Sequence, residues 1–521
     1  MLVGDFLTRS AERFPEKTAI ICGDRRVSYG ELEELSNRFA WALDQGGVRY
    51  KDRVAVLLDN SVEAAAAIFG ILKAGGVFVV ISQTIKPDKL KFILDDCSAR
   101  ALVTQPIFFD VVGAIDSSVK SLSSIILCGA GETGTTVSKP VIEFEDDLSS
   151  FPSSNPDVGS IDVDVAALIY TSGTTGFPKG VTVSHLNIVS AASSITEYLE
   201  NVSDDVIINV LPLSFDYGLY QLLMSVKMGA TLVLEKSFAY PFKVVERIHQ
   251  ERVTGFPGVP TVFAVLLQMK DINPELFDSV RYISNTAAAL PPAHIRRLRE
   301  VFRNSQIYSM YGLTECKRVS YLPPVELDRR PTSVGKGMPN EQIYIVDDSG
   351  NPVPPGDIGE LVVRGSNVML GYWNRPDETE KVIRPGRYPW ERILYTGDLF
   401  TMDEDGFFYF VSRKDDIIKS RGEKVSPSEV ERIVHELDDV KEVAVVGVPD
   451  PILGQALKAF VVPVEAARLT EKEVIFHCAR RLENFMVPKE IEFRDELPKT
   501  SSGKISRKDL QQTSGDGKRD D

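Results

Sequence analysis

A run of glycine and hydroxyl residues follows an apolar segment that ends at Tyr170. The run is Thr171-Ser172-Gly173-Thr174-Thr175-Gly176-Phe177-Pro178-Lys179-Gly180. Glycines allow backbone N–H groups to turn toward an anion, and the hydroxyl groups and the Lys179 ammonium supply further donors. The pattern predicts a phosphate-binding loop between a strand and a helix that begins at Ser184. It is not a Walker A loop, because no GK[ST] follows at the required spacing.

Further polar motifs follow this loop as far as the C-terminal region. They are LPLSFDYG (Leu211–Gly218), MYGLTE (Met310–Glu315), YTGD (Tyr395–Asp398), SRKDDIIKSRGEKVSPSEVE (Ser412–Glu431) and LPKTSSGKISR (Leu497–Arg507). Each one alone has a structural explanation, such as a turn, a helix cap or a solvated lysine. Together and in this order, they resemble the adenylate-forming superfamily, which includes acyl-CoA synthetases, luciferases and adenylation domains of peptide synthetases. The resemblance covers nearly the whole chain.

The resemblance implies that a carboxylate attacks the α-phosphate of ATP and expels pyrophosphate, which gives an acyl-adenylate. Two anions approach each other in this step, so cationic groups must stabilise the transition state. By the resemblance, Tyr311 stacks on adenine and Thr314 reaches the phosphates. Glu315 binds Mg²⁺, which bridges phosphate oxygens.

The resemblance assigns the other nucleotide contacts to the C-terminal motifs. Asp398 accepts hydrogen bonds from the ribose hydroxyls, and Arg413 lies near the ribose and phosphates. Lys504 meets the substrate carboxylate and the α-phosphate from a mobile loop. The small domain of such enzymes then rotates to complete a thiol site, and the hinge corresponds here to Asp415, with Asp416 as the adjacent alternative.

The acyl group is expected to lie in a pocket that the motifs outline only in part. By the resemblance, its residues are Phe215, Asp216, Tyr217, Tyr220, Ala287, Ala288, Met310 and Arg318. Asp216 either pairs with a substrate ammonium, as in amino-acid-activating relatives, or caps a helix that begins at Tyr217. Arg318 either binds a second polar or acidic group of the substrate or belongs with Lys317 to a solvated pair of cations.

Two positions depart from the pattern of acyl-CoA synthetases and leave the acyl acceptor open. The chain has Ser412 where the family usually has Gly, and Arg421-Gly422 where many acyl-CoA synthetases have Gly-Gly. The pantetheine arm of the acceptor runs past this region in the family. The acceptor is therefore either CoA or the phosphopantetheine of a carrier protein.

Alternating strand and helix patterns must position these residues. VAVLL (54–58) and VFVVI (77–81) predict strands, and SVEAAAAIFGILKAG between them predicts a helix, so the fold is α/β with largely parallel sheets. The apolar stretch 62–81 contains Glu63, Lys73 and a Gly-Gly break and does not predict a membrane span. Gly129-Ala-Gly-Glu-Thr-Gly134 matches GxGxxG, but no helical period follows it, so residues 129–160 are interpreted as a loop.

The pattern restarts near residue 415 as a small α+β unit. SPSEVERIVHEL predicts a helix opened by a Ser cap and Pro, and VKEVAVVGV and KAFVVPV predict strands. We therefore expect a large N-terminal domain over 1–414, a small C-terminal domain over 415–511 and a disordered polar tail over 512–521. The resemblance adds a small barrel-like β part to the large domain and makes the small domain mobile.

Composition restricts the class of protein. The chain has 521 residues, 43% hydrophobic and 26% charged, with a formal net charge of −15, which argues against nucleic acid as a partner. Its five scattered cysteines show no metal-ligand spacing, and the N-terminus lacks a signal-peptide pattern, which favours the cytoplasm.

The sequence thus predicts an AMP-forming acid–thiol ligase that uses ATP, Mg²⁺ and CoA. A stand-alone adenylation enzyme that loads an amino or acyl group onto a carrier protein remains an alternative, as does an amide-forming ligase. A catalytically inactive nucleotide-binding protein is disfavoured, because Glu315, Asp398, Arg413 and Lys504 are all present.

Overall fold

The chain folds into two compact units. The computed structural model describes residues 1–129, 136–144, 148–156, 158–171, 178–269, 272–420, 423–450, 454–465, 467–500 and 504–515. Unit 1 comprises Met1–Pro331, Gly337–Gln342 and Val363–Leu394, and unit 2 comprises Thr332–Lys336, Ile343–Val362 and Tyr395–Asp521. Unit 2 thus begins earlier in the chain than the expected small domain. The functional division into 1–414 and 415–511 stays a prediction.

One sheet of unit 1 is mainly parallel. Its strands are hydrogen-bonded in the order Lys336–Gly337, Ser320–Leu322, Gln306–Tyr311, Tyr282–Asn285, Gly255–Gly258, Val206–Asn209, Thr231–Leu234, Thr18–Cys22 and Arg25–Ser28. Parallel neighbours require crossover connections, which the helices between these strands supply. The strands Gln306–Tyr311 and Ser320–Leu322 are antiparallel, with Tyr311 opposite Ser320. The MYGLTE motif therefore ends in the turn between them.

The second sheet of unit 1 also has a parallel centre. The strand order is Gly371–Tyr372, Lys179–Ser184, Val165–Thr171, Val77–Val80, Arg53–Leu57, Ala101–Thr104, Ser124–Leu127 and Val141–Glu143. Leu57, Val79 and Leu102 are buried in the core beside this sheet. The expected βαβ unit is confirmed, since the helix Val62–Lys73 connects two of these parallel strands.

The predicted phosphate-binding loop joins two antiparallel strands, which corrects the strand–loop–helix prediction. Thr171 at the end of one strand lies opposite Lys179 at the start of the next. The helix begins only at His185, after this second strand, and the Ser184 hydroxyl accepts a hydrogen bond from the Asn187 backbone N–H. The β-branched residues of KGVTVS favour a strand here. Ser172 to Phe177 lie outside the described residues.

The helices surround these sheets. In unit 1 they are Asp5–Arg13, Tyr29–Gln45, Val62–Lys73, Pro87–Asp96, Phe109–Gly113, His185–Tyr198, Asp216–Met228, Pro241–Gln250, Pro260–Gln268, Pro292–Val301 and Pro376–Val382. Short 3₁₀ turns cover Pro106–Phe108, Asp116–Ser118, Leu148–Ser150, Pro274–Phe277, Pro324–Glu326 and Lys414–Asp416. Within the described ranges, every helix is too short or too polar to cross a membrane.

A smaller sheet has five strands. They are Glu341–Val346, Gly359–Gly365, Arg392–Met402 and Ile383–Pro385 in hydrogen-bonded order, with Phe408–Arg413 paired to Arg392–Met402. This sheet corresponds to the small β part that was expected besides the parallel sheets.

The last sheet belongs to unit 2. Its order is Glu423–Val425, Ile418–Ser420, Gly454–Pro463 and Val440–Asp450, with Glu490–Phe493 paired to Gly454–Pro463. The helices of unit 2 are Pro427–Val434, Glu471–Ala479 and Arg507–Gly515. Val445, Val461 and Val474 are fully buried in a core between the sheet and the first two of these helices. The predicted α+β character of this region is confirmed.

Three local predictions are corrected. The loop predicted for 129–160 contains a short strand, because Val141–Glu143 pairs parallel to Ser124–Leu127. The tail predicted from residue 512 is helical as far as Gly515, since Leu510 is buried and anchors the helix Arg507–Gly515. Ser426 precedes its helix as predicted, but its hydroxyl donates to the Val411 carbonyl at 2.6 Å and caps nothing.

Residues 136–140, after the GxGxxG match, are irregular backbone with a bend, and the strand Val141–Glu143 follows them. A dinucleotide site needs a helix N-terminus at this point. The interpretation of Gly129 to Gly134 as a loop remains consistent with the described residues, although 130–135 lie outside them.

Candidate active site

The MYGLTE turn depends on a glycine. A Cβ at Gly312 would lie 2.0 Å from the Lys317 carbonyl oxygen, so no side chain fits at this position. The turn is closed by the Leu313 carbonyl, which accepts hydrogen bonds from the Cys316 and Lys317 N–H groups at 3.1 and 2.7 Å. The turn therefore places Thr314 and Glu315 at the end of the sheet, next to Tyr311.

Glu315 is held by a tyrosine from another sheet. The Tyr372 hydroxyl donates to Glu315 Oε1 at 2.7 Å, and the Glu315 carbonyl accepts from the Met369 N–H at 2.8 Å. Lys179 Nζ lies 5.3 Å from the centroid of the same tyrosine ring and forms an ion pair with Glu378. In unit 1, the Glu315 carboxylate and the Lys179 ammonium thus both lie beside Tyr372.

This cluster, Glu315–Tyr372–Lys179–Glu378, suits a nucleotide phosphate and a hard cation. Mg²⁺ in phosphate sites is bound by one or two carboxylates together with phosphate oxygens. Glu315 fits that role, because the hydrogen bond from Tyr372 occupies Oε1 and orients Oε2 for a further ligand. No cluster of three or more metal-binding side chains is present among the described residues.

In unit 2, the YTGD aspartate and the first C-terminal arginine are cross-strand partners. Asp398 lies opposite Arg413 in the antiparallel pair, and Arg413 Nε is 3.1 Å from Asp398 Oδ1. The Asp398 side chain is 5% exposed and that of Arg413 is 53% exposed. A buried acceptor thus lies beside a solvent-facing cation, an arrangement suited to ribose hydroxyls and phosphate.

Lys504 is joined to Thr500 by two hydrogen bonds. The Thr500 N–H donates to the Lys504 carbonyl at 2.7 Å, and the Lys504 N–H donates to the Thr500 hydroxyl at 3.3 Å. Arg507 anchors the following helix through Glu431 at 2.8 Å and Asp416 at 2.9 Å. The Lys504 backbone is therefore held within unit 2 while its side chain is exposed.

The predicted acyl pocket brings buried tyrosines together in unit 1. The Tyr217 hydroxyl is hydrogen-bonded to the Ser284 carbonyl and hydroxyl, both at 2.8 Å. Burial raises the pKa of Tyr217 to about 12, and burial likewise raises the pKa of Tyr220 far above its ordinary value. Both phenols are therefore neutral donors at physiological pH.

The remaining acyl-pocket predictions fall on the surrounding segments. The Met310 sulfur accepts from the Tyr198 hydroxyl at 3.0 Å, and the Phe215 ring lies edge-on to Tyr217. Ala287 has a φ of 77°, which a residue with a Cβ rarely adopts. Ala288 is exposed, and its carbonyl accepts from the Asn285 side-chain amide at 2.8 Å.

Lys317 and Arg318 are buried, so the interpretation of these residues as a solvated pair is wrong. Lys317 is 1% exposed and Arg318 3%. Burial lowers the pKa of Lys317 to about 8, while the charges of Asp216 and Glu315 oppose the shift. The Lys317 ammonium donates to the Thr314 carbonyl at 3.1 Å.

Arg318 lies over the Tyr217 ring, 4.2 Å from its centroid. Its Nε and Nη2 atoms are buried and make no hydrogen bond within the described part of the chain. Burying an unpaired charge costs several kcal/mol, and a desolvated cation–π contact contributes about 2 kcal/mol. The ring thus offsets only part of the cost of burying this guanidinium.

Asp216 is the first residue of its helix, and no side-chain hydrogen bond caps that helix. The helix-cap alternative is therefore wrong. The Asp216 carboxylate nevertheless interacts favourably with the positive end of the helix dipole. Asp216 is 7% exposed, and its charge acts on Lys317. A protein ammonium thus already lies within electrostatic range of Asp216, which weakens the interpretation that it binds a substrate ammonium.

Sequence reasoning missed Tyr372 and Glu378. Both lie between the MYGLTE and YTGD motifs, in the segment GYWNRPDETE. A tyrosine in a two-residue edge strand carries no periodic pattern, so no signal in a single sequence could have linked it to Glu315. Only the pairing of Gly371–Tyr372 with Lys179–Ser184 brings the groups together.

The chain matches two family models. The model described as AMP-binding enzyme matches residues 7–373, and the model described as AMP-binding enzyme C-terminal domain matches residues 429–504. The first covers more than half of the chain and includes the glycine-rich loop and the MYGLTE turn. The second ends at Lys504.

Individual relatives match along nearly their whole length. A long-chain-fatty-acid–CoA ligase of Escherichia coli is 33% identical over 535 aligned positions, covering 97% of this chain and 93% of the relative. A feruloyl-CoA synthase of Amycolatopsis is 32% identical, covering 98% and 99%. The crystal structure of an anthranilate CoA ligase with anthranoyl-AMP superimposes with a TM-score of 0.89 at 29% identity, covering 98% and 97%. The chain therefore belongs to the AMP-binding enzyme family and is an AMP-forming, acyl-CoA-synthetase-like enzyme.

Proposed function

We propose that the protein activates a carboxylic acid with Mg-ATP to an acyl-adenylate and transfers the acyl group to CoA. The observation that supports this proposal is the cluster in unit 1, where Tyr372 orients Glu315 and Lys179 lies beside the same ring. Lys179 lies directly after the glycine-rich segment, so a phosphate bound by that segment would meet the ammonium and the metal-binding carboxylate together.

The first half-reaction forms a bond between a carboxylate oxygen and the α-phosphorus and breaks the bond to the β-phosphate, which releases pyrophosphate. Mg²⁺ would neutralise charge on the phosphate oxygens. Glu315 holds the cation, and Lys179 and Thr314 bind phosphate oxygens. Tyr311 stacks on the adenine. Asp398 accepts from the ribose hydroxyls and Arg413 lies near the ribose and phosphates, while Lys504 stabilises the approaching carboxylate.

In the second half-reaction, the thiol sulfur attacks the acyl carbon and AMP leaves, while the thiol proton passes to solvent. CoA is the proposed acceptor because each of the three relatives above is named as a CoA ligase or an acyl-CoA synthase. Their acids are a long-chain fatty acid, ferulate and anthranilate, so the relatives do not decide which acid is activated. Arg421 and Gly422 lie outside the described residues.

We place the enzyme in the cytoplasm. All five cysteines (Cys22, Cys97, Cys128, Cys316 and Cys478) are free thiols, and four of them are buried. Free thiols are typical of a reducing compartment, which is also where ATP and CoA are available.

ATP–pyrophosphate exchange over fatty, aryl, dicarboxylic and amino acids tests the proposal. We expect exchange with at least one acid, and AMP release that depends on CoA with the same acid. If AMP release requires a phosphopantetheinylated carrier protein or an amine instead of CoA, that molecule is the acceptor and the assignment of CoA is wrong. No exchange across the panel, with ATP bound, would overturn the enzymatic function.

A further inference from the structure

We propose that the activated acid carries a second anionic group, a carboxylate, and that Arg318 binds it. The inference rests on the proposed function, because it concerns the substrate of the same site. It begins from a buried guanidinium beside the predicted acyl-pocket residues Tyr217 and Tyr220 that has no anionic partner within the described chain.

The orientation of Arg318 is fixed by its neighbours. Its guanidinium lies over the Tyr217 ring at 4.2 Å, and that ring is anchored through its hydroxyl to Ser284. The Arg318 carbonyl accepts a hydrogen bond from the Asn367 side chain at 3.3 Å. The side chain is therefore held in place before any ligand binds, which reduces the loss of side-chain conformational entropy on binding.

The atoms that lack partners lie on one edge of the guanidinium. Nε–H and one N–H of Nη2 point in parallel along this edge, and both atoms are buried without a hydrogen bond among the described residues. Two parallel donors match the two oxygens of a carboxylate in a bidentate contact. A lysine at this position would present a point charge without that geometry.

No carboxylate of the described chain is hydrogen-bonded to Nε or Nη2 of Arg318. Glu341 Oε2 accepts from the Asn367 amide at 2.8 Å, while Glu341 Oε1 is buried without a hydrogen-bond partner among the described residues, and burial raises the pKa of Glu341 well above its ordinary value. Asp216 acts electrostatically on Lys317 and on Tyr220. The edge is therefore left for a group that the protein does not supply.

A second buried donor supports a polar ligand. The Tyr220 hydroxyl also lacks a hydrogen-bond partner among the described residues. An alkyl chain placed against this hydroxyl and the Arg318 edge would leave both unsatisfied, and buried sites reject ligands that do so. The arrangement disfavours a plain fatty acid, although a long-chain-fatty-acid ligase is among the relatives.

Matched acids test the inference. The probes are adipic acid against hexanoic acid, and terephthalic acid against benzoic acid, each diacid also as its monomethyl ester, in ATP–pyrophosphate exchange. We expect wild-type kcat/KM to favour a diacid over its matched monoacid and ester. Arg318→Met should lower kcat/KM for the diacid by on the order of 10²-fold or more and leave the monoacid unchanged or improved. For Arg318→Lys, kcat/KM with the diacid should lie between the values of the wild type and of Arg318→Met.

The outcomes separate the inference from the proposed function. Equal use of diacids and monoacids by the wild type, or an equal loss with both in Arg318→Met, would overturn the role of Arg318 while exchange itself still supports the enzyme. Absence of exchange with any acid would instead overturn the proposed function.

The melting temperature Tm of the same variants distinguishes a structural role of Arg318 from a role in substrate binding. Arg330 is the matched control, because it is a buried arginine that forms an ion pair with Glu326. Arg330→Met strands a carboxylate and should lower Tm, whereas Arg318→Met removes an unpaired buried charge and should leave Tm unchanged or raised. A fall in Tm for Arg318→Met equal to that of Arg330→Met would assign Arg318 to the fold and overturn the inference.

Discussion

Lys504 combines an exposed side chain with a fixed backbone. Its backbone hydrogen bonds to Thr500 and the anchored helix that begins at Arg507 hold its position within unit 2. Replacement of the side chain therefore removes a charge without removing packing.

We expect Lys504→Ala to lower the rate of ATP–pyrophosphate exchange on the order of 10²–10³-fold, because one charge contact to the transition state is lost. Tm should stay unchanged. Lys508→Ala is the control, since Lys508 is an exposed lysine on the adjacent helix. Full adenylation activity in Lys504→Ala would contradict the role proposed for the lysine.

Tyr372 acts on the site through Glu315 and is a positioning residue. Its hydroxyl fixes one carboxylate oxygen, and groups that orient metal ligands in this way typically contribute 10–100-fold to metal affinity or activity.

We expect Tyr372→Phe to raise the Mg²⁺ concentration needed for half-maximal exchange by about 10-fold or more, while the ring beside Lys179 is kept. Tyr50→Phe is the matched control, because it deletes another tyrosine–carboxylate hydrogen bond, to Asp164 at 2.5 Å. A titration of exchange activity against Mg²⁺ measures the shift. Identical Mg²⁺ curves for Tyr372→Phe and the wild type would contradict the positioning role of Tyr372.

Two connections between strands hold the site, and they have different requirements. The MYGLTE turn needs glycine because a Cβ at Gly312 would lie 2.0 Å from the Lys317 carbonyl oxygen. The glycine-rich loop lies between two paired strands, so its ends at Thr171 and Lys179 are fixed by the ladder rather than by a helix.

We expect Gly312→Ala to destabilise unit 1 by several kcal/mol, because the added Cβ would overlap a backbone oxygen that cannot move without opening the turn. Exchange activity should be lost with it. In Gly4→Ala the new Cβ would meet side-chain atoms only at 3.7 Å, so that variant should stay near wild-type stability. Urea unfolding compares the two. A stable Gly312→Ala protein with normal exchange would show that the turn does not position the site.

The sequence allowed the fold class and the motif residues to be predicted because both depend on local patterns. The βαβ unit around the helix Val62–Lys73 follows from apolar periodicity. Long-range pairing does not follow from such patterns. The strand Lys179–Ser184 was missed because the glycine-rich motif dominated its neighbourhood, and the burial of Lys317 and Arg318 was missed because a charged pair is usually solvated.

At the scale of the whole molecule, the residues assigned to adenylation are divided between two units along the chain. Unit 1 contains the cluster around Glu315, and unit 2 contains Asp398, Arg413 and Lys504. A chain divided in this way can present different faces of its C-terminal part in successive steps, provided that it rotates at a defined position.

Asp415 lies between two tethered residues. Lys414 is bonded to Asp348 at 2.9 Å, in the segment 343–362, and Asp416 is bonded to Arg507 of the C-terminal helix at 2.9 Å. A rotation at Asp415 would leave both bonds intact, whereas a rotation at Asp416 would strain its contact with Arg507. This favours Asp415 over Asp416 as the hinge.

We expect Asp415→Pro to retain more adenylation than thioester formation, because proline fixes φ near −65° and restricts the residue before it. Pyrophosphate exchange measures the first half-reaction, and CoA-dependent release of AMP from preformed acyl-adenylate measures the second. Asp415→Ala keeps the rotational freedom and should retain both activities. The hinge assignment requires this asymmetry between proline and alanine, since a substitution that merely disturbs folding would lower both half-reactions together and would lower Tm as well.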